Sequence, residues 1–211
     1  SGITAVLSIV QLSIVARFLM PEDYGIFAIP SIIVGAGGAF LAGVPLAMIQ
    51  RNDFTAVQAA SMQKWLYLIA AGFMLILPIV GFGVDRLSEF QGVFALTVVM
   101  AATLLITATG LLHQVWLRRE LRMEIIAMAN VVGAFVSVLT AIFLAWQGFG
   151  CWALVWATVV RVLVVMIMTR LSSDLELAER STFVDARPLL GFGLSRGTDQ
   201  VLSQFTSKLD Q

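Results

Sequence analysis

One arginine stands inside a long aliphatic run, and it is the first residue here whose type and place could do chemistry. Arg161 is flanked by Val159-Val160 and Val162-Leu163, near the middle of an apolar stretch. A charge at the centre of a bilayer costs roughly 2.5–3.5 kcal/mol on insertion scales. Such a residue is therefore expected to face a bundle interior rather than lipid. Its guanidinium is a planar fork of donors that matches phosphate oxygens. Two readings stay open: contact with an anionic cargo, or a structural pair with a carboxylate or freed carbonyl on another helix.

A second group lies near the end of the sequence. Arg196, Asp199, Ser203, Thr206 and Asp210 recur at alternating steps of three and four, which places them on one stripe of a helix. Gln200, Gln204 and Ser207 widen the stripe, while Val201, Leu202, Phe205 and Leu209 fall toward the other side. A helix so patterned either lines a hydrated cavity or lies flat at a membrane surface. Interfacial helices carry a strongly basic polar face, and this stripe is mixed and mostly neutral, so cavity lining is the expectation.

Other reactive types suggest structural roles. The lone Cys151 excludes an intramolecular disulfide, and with the lone His113 it makes no zinc set. No cofactor is implied. Arg17 sits beside Glu22 and Asp23 and is expected to pair with one of them. His113, Trp65, Trp116, Trp146 and Trp152 fall near the ends of apolar runs, where interfacial anchoring explains them. Gly35, Gly37, Gly38 and Gly43 suggest close helix contact through small residues.

These residues need long apolar elements to position them. The 211 residues are 59% hydrophobic and 12% charged, with mean hydropathy +0.94 and net charge +0. Soluble domains carry about 25% charged residues, so the chain cannot cover a water-facing surface, and a bilayer is its natural solvent. The apolar runs are continuous, without the alternation of a membrane barrel. The fold class is all-α, a polytopic transmembrane helix bundle.

A membrane helix needs about 20 apolar residues. One span precedes Arg17, and a second runs from Tyr24 to Gln50. A third covers Trp65 to Val84, and a fourth Phe90 to Leu117. The run from Ile125 to Val160 is divided at Gly148-Phe149-Gly150, giving a fifth span to Trp146 and a sixth from Cys151 to Met168. Residues 1–170 thus read as a lobe of about six helices, 171–187 as a cytoplasmic linker, and 188–211 as the first helix of a second lobe. The chain reads as a fragment of a longer protein.

Local signals place the boundaries. Pro21 suits a first helical position, with Glu22 and Asp23 in the favourable first turn. Thr55 and Gln58 have capping-box spacing. One set of loops carries Arg51, Lys64, Arg118, Arg119, Arg122, Arg170, Arg180 and Arg187, whereas the opposite set carries Arg86, with Arg17 nearby. The basic set is expected to face the cytoplasm, which also puts the N-terminus inside.

Several stretches resemble a known family. Ala16-Arg17-Phe18-Leu19-Met20-Pro21-Glu22-Asp23-Tyr24-Gly25 resembles the turn after the first helix of polysaccharide flippases, in the multidrug/oligosaccharidyl-lipid/polysaccharide exporter superfamily. Ile49-Gln50-Arg51-Asn52-Asp53-Phe54-Thr55 is similar to the loop after their second helix. Gly148-Phe149-Gly150-Cys151-Trp152-Ala153-Leu154-Val155 looks like their GxGxWALV hairpin, and Leu189-Leu190-Gly191-Phe192-Gly193 like the opening of their seventh helix.

The resemblance implies a two-lobed bundle that alternates access to a central cavity. It also implies a cargo of polyprenyl-pyrophosphate-linked oligosaccharide, moved from the cytoplasmic to the periplasmic leaflet of the bacterial inner membrane. Arg161 would meet the pyrophosphate. The stripe of Arg196, Asp199, Ser203, Thr206 and Asp210 would meet the sugar, whose hydroxyls suit Asp, Gln and Ser. Expected partners are lipid-linked oligosaccharide, membrane lipids and other proteins of polysaccharide assembly, with no nucleic acid.

Two alternatives differ in kind. A cation-coupled small-molecule exporter of the same superfamily would want an acidic residue deep in the lobe. Glu22, Asp23, Asp53, Asp85, Glu89, Glu120 and Glu124 all map to loops or span ends. A membrane enzyme of polysaccharide assembly would want clustered carboxylates or an intramembrane histidine, and no such set stands out. The chain is not expected to be an enzyme.

The loop-charge bias yields a topology test. Reporter fusions at Arg119 and Ala178 should register as cytoplasmic, and fusions at Glu89 and Gly148 as periplasmic. A periplasmic signal at Arg119 would refute the orientation.

Overall fold

The computed structural model describes residue 17 and residues 20–45, 56–87 and 92–175. The first and seventh spans, and the linker beyond residue 175, lie outside the described residues. The described part forms five α-helices and no strand: α1 Pro21–Gly43, α2 Ala56–Leu87, α3 Val93–Arg119, α4 Met123–Trp146 and α5 Cys151–Leu171. All five are long and apolar enough to cross a membrane.

The chain reverses in short turns between α3 and α4 and between α4 and α5, and the end of α2 meets the start of α3. One end of the bundle therefore carries Leu87, Val93, Trp146 and Cys151, and the other Ala56, Arg119, Met123 and Leu171. The start of α1 joins the Cys151 end, because Asp23 lies against the turn at Gly150.

The helix boundaries follow identifiable caps. Pro21 opens α1, and Asp23 in the first turn accepts the Met20 N–H at 3.0 Å, which satisfies a donor that the helix cannot. Gly92 precedes α3 with no side chain to cap it. Asp85, at the end of α2, takes over that role, accepting Val93 N–H at 2.9 Å and Phe94 N–H at 3.0 Å. One carboxylate thus fastens two helices together.

The α4–α5 turn is a Schellman motif. Gly148 N–H donates to Ala145 O and Phe149 N–H to Leu144 O, with Gly148 at φ +81° and Gly150 at φ +53°. The expected glycine turn is present. The α3–α4 turn uses the same two bonds, Leu121 N–H to Arg118 O and Arg122 N–H to Leu117 O. Here Leu121 occupies the left-handed position at φ +59°, a site that has no glycine signature in the sequence.

The central helix is α3. It packs on α2 along most of its length, and on α5 and α1, while α4 rests chiefly on α5. Its buried side chains go all round, from Val93, Leu96 and Met100 to Leu111, Leu112 and Val115. The main core joins these to Val34 and Leu41 of α1, Met62, Leu66 and Leu77 of α2, and Val155 of α5. A smaller core at the Cys151 end packs Ala141 and Ala145 against Ala153, Leu154 and Ala157.

Close backbone approach sets the spacing of these pairs. A Cβ at Gly81 of α2 would stand 2.8 Å from Thr97 Oγ1 of α3, and one at Gly110 of α3 would stand 3.2 Å from Met166 Cα of α5. Among the glycines of the second span, Gly37 makes the tight contact, against Leu104 and Leu77, whereas Gly35 meets open space.

Helix α2 has 32 residues and starts at Ala56, directly after Thr55 of the expected capping box and well before the apolar span that begins at Trp65. Hydropathy marks only the part inside hydrocarbon, while backbone hydrogen bonding continues through the polar turns of Gln58, Ser61, Gln63 and Lys64. At 1.5 Å per residue the helix is about 48 Å long, well beyond a hydrocarbon core of about 30 Å. Thr55 of the expected capping box lies outside the described residues.

The shared carboxylate makes a stability prediction. Asp85→Ala leaves the first turn of α3 without its acceptors and should cost about 1–2 kcal/mol. The thermal unfolding midpoint in detergent should fall, with Asp85→Asn, which keeps one acceptor oxygen, falling less. An unchanged midpoint in Asp85→Ala would refute the capping role.

Candidate functional site

Arg161 is the residue of the expected site that the structure describes. It is the central residue of α5 (Cys151–Leu171), so about ten residues, or about 15 Å, separate it from either end. That is half the thickness of a hydrocarbon core. Its stripe on α5 is Leu154, Ala157, Arg161, Val165 and Met168, at steps of three and four. Leu154 and Ala157 are buried against α4, and Arg161 and Val165 lie against Gly133 of the same helix. Arg161 therefore rises from the side of α5 that faces α4, and its side chain is nonetheless exposed.

Among the described residues no hydrogen bond or ion pair engages Arg161. The neighbouring polar groups are turned to their own helices. Asn130 Nδ2 donates to Ile126 O at 2.8 Å, Ser137 Oγ to Ala134 O at 2.8 Å, Thr140 Oγ1 to Val136 O at 2.9 Å and Thr158 Oγ1 to Leu154 O at 2.9 Å. Hydroxyls in membrane helices satisfy themselves in this way. The guanidinium, with five donors, keeps its binding capacity.

Arg196, Asp199, Ser203, Thr206 and Asp210 lie outside the described residues, so no geometry joins them to Arg161.

The sequence reading missed two polar connections. Gln63, 5% exposed, donates from Nε2 to Ala108 O at 2.9 Å, and one turn on Tyr67 Oη bonds Thr109 Oγ1 at 3.3 Å. The spacing of Gln63 and Tyr67 places both on one face of α2, and that spacing was the available signal. At the Arg119 end, His113 Nδ1 and Ser173 Oγ share a hydrogen bond at 2.5 Å. His113 is 7% exposed and joins α3 to the end of α5, so it is not an interfacial anchor. Beside it, Arg122 bridges Glu120 at 3.5 Å and Asp174 at 3.4 Å.

Arg17 makes no ion pair with Glu22 or Asp23 among the described residues. Asp23 instead accepts the Met20 N–H and lies beside the Gly150 turn. The tryptophans divide. Trp146 is 73% exposed, as an anchor would be, whereas Trp116 buries its indole nitrogen. Among the described residues no three His, Cys, Asp or Glu side chains converge on a point. The acidic residues Glu22, Asp23, Asp85, Glu120, Glu124 and Asp174 all stand at helix ends or turns.

A family model described as polysaccharide biosynthesis protein matches residues 14–211, which includes all five helices. The chain belongs to the polysaccharide biosynthesis protein family. Searches of curated proteins and of solved structures found no match to this chain. With five apolar helices of spanning length, this member of the polysaccharide biosynthesis protein family is a multi-pass membrane protein. The match runs beyond α5 through residues 176–211, the stretch holding the polar stripe.

Proposed function

We propose that the protein is a flippase of the bacterial inner membrane. It moves polyprenyl-pyrophosphate-linked oligosaccharide from the cytoplasmic to the periplasmic leaflet, for assembly of exopolysaccharide or O-antigen. The carrying observation is Arg161, a guanidinium at mid-depth of a membrane helix, exposed and without a partner among the described residues. Facing lipid, it would bear the insertion cost uncompensated. Facing a hydrated path, it offers a fork of donors where an anionic head group must cross.

In this reading the role of Arg161 is to replace water around the pyrophosphate midway across. The stripe of Arg196, Asp199, Ser203, Thr206 and Asp210 receives the sugar, whose hydroxyls both donate and accept. No bond is made or broken, so the protein acts as a carrier and not as an enzyme. The basic end of the bundle, with Lys64, Arg118, Arg119, Arg122 and Arg170, faces the cytoplasm, and the N-terminus lies on that side. The position of the described acidic residues at helix ends favours this cargo over cation-coupled export.

Translocation of lipid-linked oligosaccharide by the full-length protein in proteoliposomes tests the proposal. A hydrogen bond to a charged group contributes about 1.5–3 kcal/mol, so Arg161→Ala should slow translocation by roughly 10-fold or more. Arg161→Lys keeps charge but loses the fork, and should fall between. An Arg161→Ala protein that inserts normally and flips at the parental rate would remove Arg161 from the path.

A further inference from the structure

We infer that Gly133 of α4 is the positioning residue for Arg161, holding its guanidinium in the path by the absence of a side chain. The inference rests on the anion-contact reading of Arg161. The two residues stand 28 positions apart and face each other at the middle of an antiparallel helix pair. A Cβ at Gly133 would lie 2.9 Å from Val165 Cγ2, 3.3 Å from the Arg161 carbonyl oxygen and 3.6 Å from Arg161 Cγ.

Those contacts leave little room to yield. Valine in a helix has one strongly preferred χ1, so Val165 cannot swing its methyl aside cheaply. The Arg161 oxygen is backbone and moves only with α5 itself. A methyl at 133 therefore pushes α5 from α4 at the level of the arginine, while Ala141, Ala145, Leu154 and Ala157 still clamp the pair one to three turns away.

The guanidinium depends on this contact more than most. Nothing among the described residues bonds its head, so its direction comes from its aliphatic stem. The stem leaves α5 on the α4 side, and Cγ rests beside the bare backbone of Gly133. Cα–Cβ bonds lean toward a helix N-terminus, so the stem runs along the seam toward the Cys151 end. Gly133 bounds the stem on that side. Widening the gap between α4 and α5 frees χ1 and spreads the fork over many directions, and a bidentate contact requires one.

The test is a double-mutant cycle on translocation by the full-length protein, with rates normalised to inserted protein. Gly133→Ala should slow flipping several-fold. In an Arg161→Ala background the same change should add nothing, because there is no guanidinium left to aim. In an Arg161→Lys background it should cost less than in the parent, since an ammonium has no plane to orient. Gly133→Ala with Val165→Ala, which removes the struck methyl, should recover much of the parental rate, and this pair serves equally if Gly133→Ala alone inserts poorly. Losses that multiply in the Arg161→Ala background would overturn the positioning role while leaving Arg161 on the path. A parental rate in Gly133→Ala would overturn it also. A parental rate in Arg161→Ala would instead defeat the anion-contact reading on which it rests.

Discussion

Helices already surrounded by hydrocarbon gain little by hiding leucines from water, so what holds α1 to α5 together is contact distance. Glycines supply it at each major crossing. Gly37 admits Leu77 and Leu104, Gly81 admits Thr97, Gly110 admits the backbone of Met166, and Gly133 admits Val165 and Arg161. Once the backbones are close, short-range bonds between elements become possible. Asp85 reaches the start of α3, Gln63 reaches Ala108 O, and His113 reaches Ser173. A bulkier residue at Gly81 would part α2 from α3, and one at Gly110 would part α3 from α5, the pairs that those bonds join.

The elements themselves were legible because length and apolarity identify a membrane helix without reference to neighbours. All five described helices fall on stretches that the sequence marks as spans, and the glycine turn before Cys151 lies where expected. The start of α2 was legible in the capping-box spacing of Thr55 and Gln58 and not in hydropathy, which reports the solvent of a residue and not its backbone bonding. The α3–α4 turn lies where the sequence breaks between Leu117 and Ile125, but its conformation was not legible, because Leu121 adopts a left-handed φ for which glycine is the usual sign.

The site was legible only in part, and for a physical reason. A charge within an aliphatic run is visible from the sequence, so Arg161 could be singled out. Its neighbours could not, because contact between Gly133 and Arg161 arises from the pairing of α4 with α5, which no local periodicity encodes. His113 shows the same limit from the other side. Its place near a span end suggested anchoring, but a residue 60 positions later comes to meet it.

Charge placement joins fold to function. The described charges gather at the two ends of the bundle, where water is available, with Arg161 alone among them at mid-depth. The account stands on water reaching that residue. Single cysteines in a Cys151→Ser background measure this directly, through their rate of reaction with a charged, water-soluble thiol reagent in membranes, since thiolate formation needs water. Arg161→Cys should react at a rate approaching that of Leu121→Cys in the α3–α4 turn, while Trp156→Cys and Ile167→Cys, exposed on the side of α5 away from α4, should react slowly. Slow reaction at Arg161→Cys, equal to that at Trp156→Cys, would contradict a hydrated path beside α5.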